Sequence, residues 1–378
     1  MNSEPGVPVG GSEAFECCTL PKWSVGWGLT ARCNMTCKFC YSAVTRSGLA
    51  AVPDVPEKIA LGFIRRHVSR ISSVNFGLGE ATLHPAFVSI VGELRRLAPS
   101  VRVAVTTNGH IARLAVESPE MLHCIDEVDV SLDYCSPDAH DQSRGHPGAF
   151  RQALAAIDVC RSSGCQVSVV MIGTAATLAL ENVAGLVELC RSREVDLRVN
   201  LLRPRTRSSL SCHERSGVWR GLSYLAEHAS SSQCSDQLLA PFVGHVPVAA
   251  VENGRSVRLL PDGSASPSTF LLGAGWLTSD VLSEGFRDLD ALLESKPFRL
   301  FRGLTPPKEC SECSFVSTCG GGAPDRRWLH VAGQDAPDPY CPRVYPVETE
   351  VAPRQCSSSP GGNVHIGYLP TAVWRFRR

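Results

Sequence analysis

The sequence predicts an α/β fold of parallel strands covered by helices, followed by a smaller irregular extension. Three observations carry that prediction. Short β-branched runs alternate with longer amphipathic stretches from Trp23 to Leu202. The alternation repeats six times, which favours parallel strands joined by crossover helices. Past residue 230 the pattern becomes irregular and rich in Gly and Pro. Six repeats suit either an open doubly wound sheet or a partial barrel, and both place ligands at the carboxyl ends of the strands.

In order, the predicted strands are Trp23–Leu29, Val74–Leu78, Val101–Thr107, Val128–Leu132, Val167–Ile172 and Leu197–Leu202. Each is a short apolar run, the signature of a strand buried on both faces. The predicted helices are Glu57–Ile71, Ala86–Leu97, Ile111–His123, Ala149–Ser162, Leu178–Arg191 and Glu214–Ala229. Their apolar residues recur at helical spacing, leaving the other face for solvent.

The 378 residues, 43% of them hydrophobic, suffice for a large domain and a smaller one. The expected division is an N-terminal extension over 1–22, a core over 23–230, a cysteine-rich domain over 231–348 and a tail over 349–378. A formal net charge of +0 provides no bulk attraction to nucleic acid or anionic membrane. The basic groups Arg203, Arg205, Arg207 and Arg375, Arg377, Arg378 read as a solvated loop and a solvated tail. No apolar run reaches the ~20 residues of a membrane helix, and residues 1–22 lack the apolar core of a signal peptide. Linker-like composition is confined to 1–20 and Ser357–Gly362. Seventeen cysteines, clustered at metal-ligand spacing in a long chain, point to a reducing cytoplasm and not to a disulfide scaffold.

The chemistry concentrates at strand ends. After the first strand comes Cys33-Asn-Met-Thr-Cys37-Lys-Phe-Cys40, three soft ligands for an iron–sulfur cluster or another thiophilic metal. Three ligands leave a coordination position open, unless a distant residue completes a structural zinc site. The second strand ends in Gly77-Leu78-Gly79-Glu80, whose glycines admit close backbone approach. The third ends in Thr106-Thr107-Asn108-Gly109. The fourth ends in Ser131-Leu132-Asp133, with His140-Asp141-Gln142-Ser143-Arg144 beyond. Each segment alone is ordinary loop composition. Their recurrence on four successive strand ends is not.

Taken together, these segments resemble the radical S-adenosylmethionine enzymes. The match rests on Cys-x3-Cys-x2-Cys, with Phe39 before the last cysteine, and on the glycine-rich segment ending in Glu80. Leu78 stands where a glycine is usual. The resemblance covers residues 23 to about 210. It implies a partial (β/α)6 barrel and a [4Fe-4S] cluster on Cys33, Cys37 and Cys40, whose open iron chelates S-adenosylmethionine. Gly79 and Glu80 would meet the methionine amino group, Phe39 the adenine, Ser131 the ribose and Arg144 the carboxylate. Asn108 and Asp133 would be further contacts. One electron would cleave the sulfonium bond, and the 5′-deoxyadenosyl radical would abstract a substrate hydrogen. A reductant such as flavodoxin or ferredoxin is the implied partner.

Near the other end, Cys310-x2-Cys313-x5-Cys319-Gly-Gly-Gly and the later Cys341 form a complete set of four ligands. Read alone, they suit zinc or a second iron–sulfur cluster. After the first motif they resemble the SPASM extension, which usually holds two auxiliary clusters. Val251, Ser268 and Ala323 stand where three ligands of the inner cluster would be. Losing three ligands of one cluster implies a single auxiliary [4Fe-4S] cluster on Cys310, Cys313, Cys319 and Cys341.

Of the ten other cysteines, Cys124, Cys160 and Cys190 read as small core hydrophobes on helices. Cys135 follows Asp133 and reads as a candidate catalytic hydrogen-atom donor facing the site. The expected activity is a radical oxidoreductase or maturase acting on a precursor peptide. Oxidation or epimerisation of a small natural product such as an aminosugar is the alternative, and a non-catalytic metal-binding protein the remote one. The short segment before the first strand favours a small molecule or a separately delivered peptide. The run Val25-Gly-Trp-Gly-Leu-Thr-Ala-Arg-Cys33 favours peptide maturation.

Overall fold

The computed structural model describes residues 21–203, 210–243, 255–352 and 362–377. Cys17, Cys18, Cys356, Val251, Arg205, Arg207, Arg378 and most of the N-terminal and Ser357–Gly362 segments lie outside them.

Six parallel strands form the centre: β1 (Trp23–Trp27), β2 (Ile71–Phe76), β3 (Arg102–Thr107), β4 (Glu127–Ser131), β5 (Gln166–Gly173) and β6 (Asp196–Leu201). They pair in sequence order. The covering helices are α1 (Ala43–Gly48), α2 (Glu57–His67), α3 (Phe87–Leu97), α4 (Ile111–Glu117), α5 (Pro137–Arg144), α6 (Ala149–Ser162), α7 (Leu180–Arg193) and α8 (Cys212–His228). Two expected helices are shorter. The first gives way to β2, which begins at Ile71, and the third breaks at Ser118-Pro119 into a 3-10 turn, because proline cannot continue the hydrogen-bond ladder. Two helices that sequence periodicity misses, α1 and α5, follow β1 and β4.

The boundary near residue 230 does not interrupt the sheet. β7 (Ser231–Cys234), β8 (Ser256–Leu259), β9 (Ala265–Ser266) and β10 (Ala372–Arg375) extend it. Among the described residues the order is β7-β10-β6-β5-β4-β3-β2-β1-β8-β9, with β7 and β9 as the end strands. β8 lies parallel to β1, and β10 lies antiparallel between β6 and β7. Short helices α9 (Ala240–Val243), α10 (Lys296–Arg302), α11 (Val316–Cys319) and α12 (Pro324–Leu329) complete the later half.

Two charge readings need correction. Arg375, expected in a solvated tail, lies on β10 and forks onto Asp196 at 2.9 and 3.0 Å. Arg203 is buried, with Asp325 at 3.3 Å and the Leu201 carbonyl at 2.7 Å. Both sites exist because the C-terminal half folds back over β6, a juxtaposition without local signature. Residues 364–367 pack against β2 and β3. Tyr368 sits against the bare backbone of Gly26, where an added Cβ would stand 1.7 Å from its hydroxyl. No described helix is long and apolar enough to cross a membrane.

Candidate active site

A cleft opens at the carboxyl ends of the strands, lined from β2 through β6, from β8 and from the loop after β1. That a single cavity meets all these strands means that the sheet curls around it. Of the expected site residues, Cys33, Cys37, Cys40, Phe39, Gly79, Asn108, Ser131 and Arg144 line it.

Each cysteine of the trio has its own hydrogen-bond donor. Asn108 Nδ2 lies 3.8 Å from Cys33 Sγ, and Arg144 Nη1 lies 3.9 Å from Cys37 Sγ. Ser42 Oγ and Arg46 Nη2 lie 3.4 and 3.6 Å from Cys40 Sγ. Burial pushes the Cys33 and Cys37 thiols up. At Cys40 burial is outweighed by the Ser42 hydroxyl and the Arg46 guanidinium, and its thiol falls below the ordinary value. Donors aimed at sulfur stabilise thiolate and tune whatever metal it holds.

Glu80 and Asp133 stand behind this lining. Glu80 is 1% exposed and accepts from Thr82 Oγ1 at 2.6 Å, Thr107 Oγ1 at 2.9 Å and Asn108 N at 2.7 Å. It joins the β2 loop to the end of β3, and burial raises its carboxyl above the usual range against these donors. Asp133 is fully buried and pairs with Arg144 Nη2 at 2.6 Å, while Ile172 N donates to its other oxygen at 3.0 Å. The held guanidinium lies 5.1 Å from the centre of the Phe39 ring.

Cys135 is a correction. A Cβ added at Gly185 of α7 would stand 2.5 Å from Cys135 Sγ, so the thiol packs on that helix. It is not among the cleft residues. The turn after β4 aims Asp133 towards Arg144 and sends Cys135 outward.

Other lining residues have no counterpart in the sequence reading: Tyr41, Arg46, Arg198, Asn200, Arg258, Phe270 and His365. Only Arg46, six residues beyond Cys40, had a local cue. His365 reaches the cleft from the C-terminal segment and lies 2.8 Å from Asp129 and 3.3 Å from Glu127. Among the described residues this trio alone brings three ligand atoms within 4.8 Å of one another. Arg198 at 3.1 Å from Asp129 and Arg102 at 3.6 Å from Glu127 already balance its charge, which makes it an ion network.

Cys310, Cys313, Cys319 and Cys341 form a second group. Burial, then the thiols of Cys341 and Cys313, push Cys310 up. Burial, then Asp338 and more weakly Cys341, push Cys319 up to about 12. After Cys319, Gly320, Gly321 and Gly322 take φ of +60°, +90° and +100°, a run that L side chains resist. This turn brings Gly321 O to Asp338 N at 2.9 Å and so sets Cys319 beside the Cys341 loop. Arg326, fully buried between Asp236 and Asp338, anchors it. At two positions lacking inner-cluster ligands, Ser268 Oγ contacts Asp325 at 3.4 Å and Ala323 is fully buried.

Residues 27–187 match the family profile described as the Radical SAM superfamily. An AdoMet-dependent heme synthase of Methanosarcina barkeri is 30% identical over 148 residues, 37% of this chain and 39% of that protein. The antilisterial bacteriocin subtilosin biosynthesis protein AlbA of Bacillus subtilis is 30% identical over 146 residues, 38% of this chain and 31% of its own. The chain spans less than half the length of these relatives. Streptococcus suis SuiB, solved bound to precursor peptide SuiA, superposes with TM-score 0.65 at 13% identity, covering 85% of this chain and 76% of that one. A structure of anSMEcpe with bound AdoMet and Cp18Cys peptide gives 0.64 at 16%, covering 86% and 95%. At such identities these likenesses concern the fold.

Proposed function

Residues 27–187 belong to the radical SAM superfamily, whose members are enzymes that use S-adenosylmethionine and a [4Fe-4S] cluster, and from that premise we propose that this protein is a radical enzyme acting on a peptide. The observation that carries the reading is the cysteine trio: three sulfurs lining one cleft, each with its own donor.

Cys33, Cys37 and Cys40 would hold the cluster. When bound, it and S-adenosylmethionine supply one-electron cleavage of the sulfonium bond and hydrogen abstraction from carbon. The chain's own residues orient and shield. Arg144, fixed by Asp133, offers a charge for the S-adenosylmethionine carboxylate beside Phe39. Gly79 and Ser131 offer backbone and hydroxyl groups, and Asn108 sits between Cys33 and the Glu80 carboxylate. Glu80, with both oxygens engaged behind the lining, acts as a positioning residue. The second cysteine set would hold one auxiliary cluster. The fold likeness to proteins solved with bound peptides supports a peptide substrate. A small molecule is the second reading, supported by the similarity to the heme synthase.

The test is anaerobic reconstitution with iron and sulfide, then reduction with S-adenosylmethionine. About eight irons per chain and formation of 5′-deoxyadenosine are expected. Zinc without 5′-deoxyadenosine would overturn the reading.

A further inference from the structure

Among the described residues the cleft is lined by five arginines and no aspartate or glutamate. Four have a counter-charge. Arg46 and Arg144 face Cys40 and Cys37, and Arg144 also pairs with Asp133. Arg198 pairs with Asp129 and Arg203 with Asp325. Arg258 differs. It is 2% exposed on β8, and among the described residues no carboxylate lies within ion-pair distance of it. Its Nη1 donates to the Gly77 carbonyl at 3.2 Å, and Nη2 reaches Tyr41 Oη only at 3.5 Å. Its Nε has no partner. A carboxylate forks onto the Nε–Nη2 edge of a guanidinium, and here that edge is buried and carries only the long Tyr41 contact. The Tyr368 ring, 5.6 Å from Cζ, supports the group from the floor. Burying a guanidinium without an anion is costly, and a ligand carboxylate would relieve that cost.

We propose that Arg258 binds a carboxylate of the substrate, so that this cleft selects an acidic substrate. The inference rests on the radical-enzyme reading for the word substrate. S-adenosylmethionine also carries a carboxylate, and the test separates the two sources.

The reconstituted full-length protein, as wild type, R258K and R258Q, is titrated with S-adenosylmethionine. In its presence the protein is then titrated with N-acetyl-L-aspartic acid α-amide, which carries one carboxylate, and with N-acetyl-L-asparagine amide as the uncharged control. Thermal stability and equilibrium binding are read. The charged probe is expected to stabilise the wild type and the uncharged one not. R258Q should bind the charged probe at least about tenfold more weakly, with R258K intermediate and S-adenosylmethionine affinity kept. Equal shifts in wild type and R258Q, or no preference for the charged probe, would overturn the proposal. So would loss of S-adenosylmethionine binding in R258Q with the probe unaffected, which assigns Arg258 to the cofactor. Iron content and the R258K variant show whether R258Q is folded. A wild type that binds the charged probe but forms no 5′-deoxyadenosine would refute the enzyme reading and leave the anion site standing.

Discussion

Leu78 fills the space over the bare Cα of Gly28, where an added Cβ would stand 2.6 Å from Leu78 Cδ2. Leu78 takes φ of +80°, which explains why glycine is usual at this position. The conformation costs about 1 kcal/mol for a leucine. Burial with Leu49, Leu260 and Leu272 returns about 2 kcal/mol. L78G and G28A should each lower the unfolding midpoint. The double variant should be less damaged than their sum by about 1 kcal/mol, because the alanine methyl occupies vacated space. Additive effects in urea unfolding would refute the contact.

Glu80 should tolerate amidation poorly. In E80Q the oxygen still accepts from Thr82 and Thr107, but the amide turns a donor towards Asn108 N. A buried unsatisfied N–H costs about 1–3 kcal/mol. E80Q should therefore lower the melting temperature and also weaken S-adenosylmethionine binding, as Asn108 loses its tether. An unchanged melting temperature counts against this role.

His140 makes stability depend on pH. It is 1% exposed, its Nδ1 accepts from Asp133 N at 3.2 Å, and burial lowers its pKa to about 3. A base held below its unfolded value of about 6.5 contributes fully above pH 6.5, and the contribution fades as pH falls towards 3. By pH 5 the loss is about 2 kcal/mol. H140Q should show a shallower fall in urea midpoint between pH 7 and 5. A slope equal to wild type would remove His140 as the cause.

The two cysteine sets should lose metal independently. Replacing Cys33, Cys37 and Cys40 with alanine should abolish 5′-deoxyadenosine formation and leave about four irons. Replacing Cys313 and Cys341 should spare the first cluster's spectrum. Loss of all iron in either variant would mean that the sets are not separate sites.

Cys135 should be dispensable for chemistry. Its sulfur packs on Gly185, so C135A removes a small buried contact, and the product distribution should match wild type. A changed ratio of stereoisomers would restore it as a hydrogen donor.

The sequence by itself determined the parts written locally. Strand and helix alternation gave six parallel strands in chain order, because hydrophobic periodicity is a property of consecutive residues. Cysteine spacing within eight residues placed Cys33, Cys37 and Cys40 in one loop, and the glycine run after Cys319 marked a turn with positive φ. Tertiary structure decided which side chains meet across long separations. Only the folded chain puts β8 beside β1 and β10 between β6 and β7, and so brings Arg258 and His365 to the cleft. It also turned Glu80 into a clasp, buried Arg203 against Asp325 and sent Cys135 to the outer face. These outcomes depend on packing and charge pairing between residues up to more than two hundred positions apart, and no short stretch of sequence encodes them.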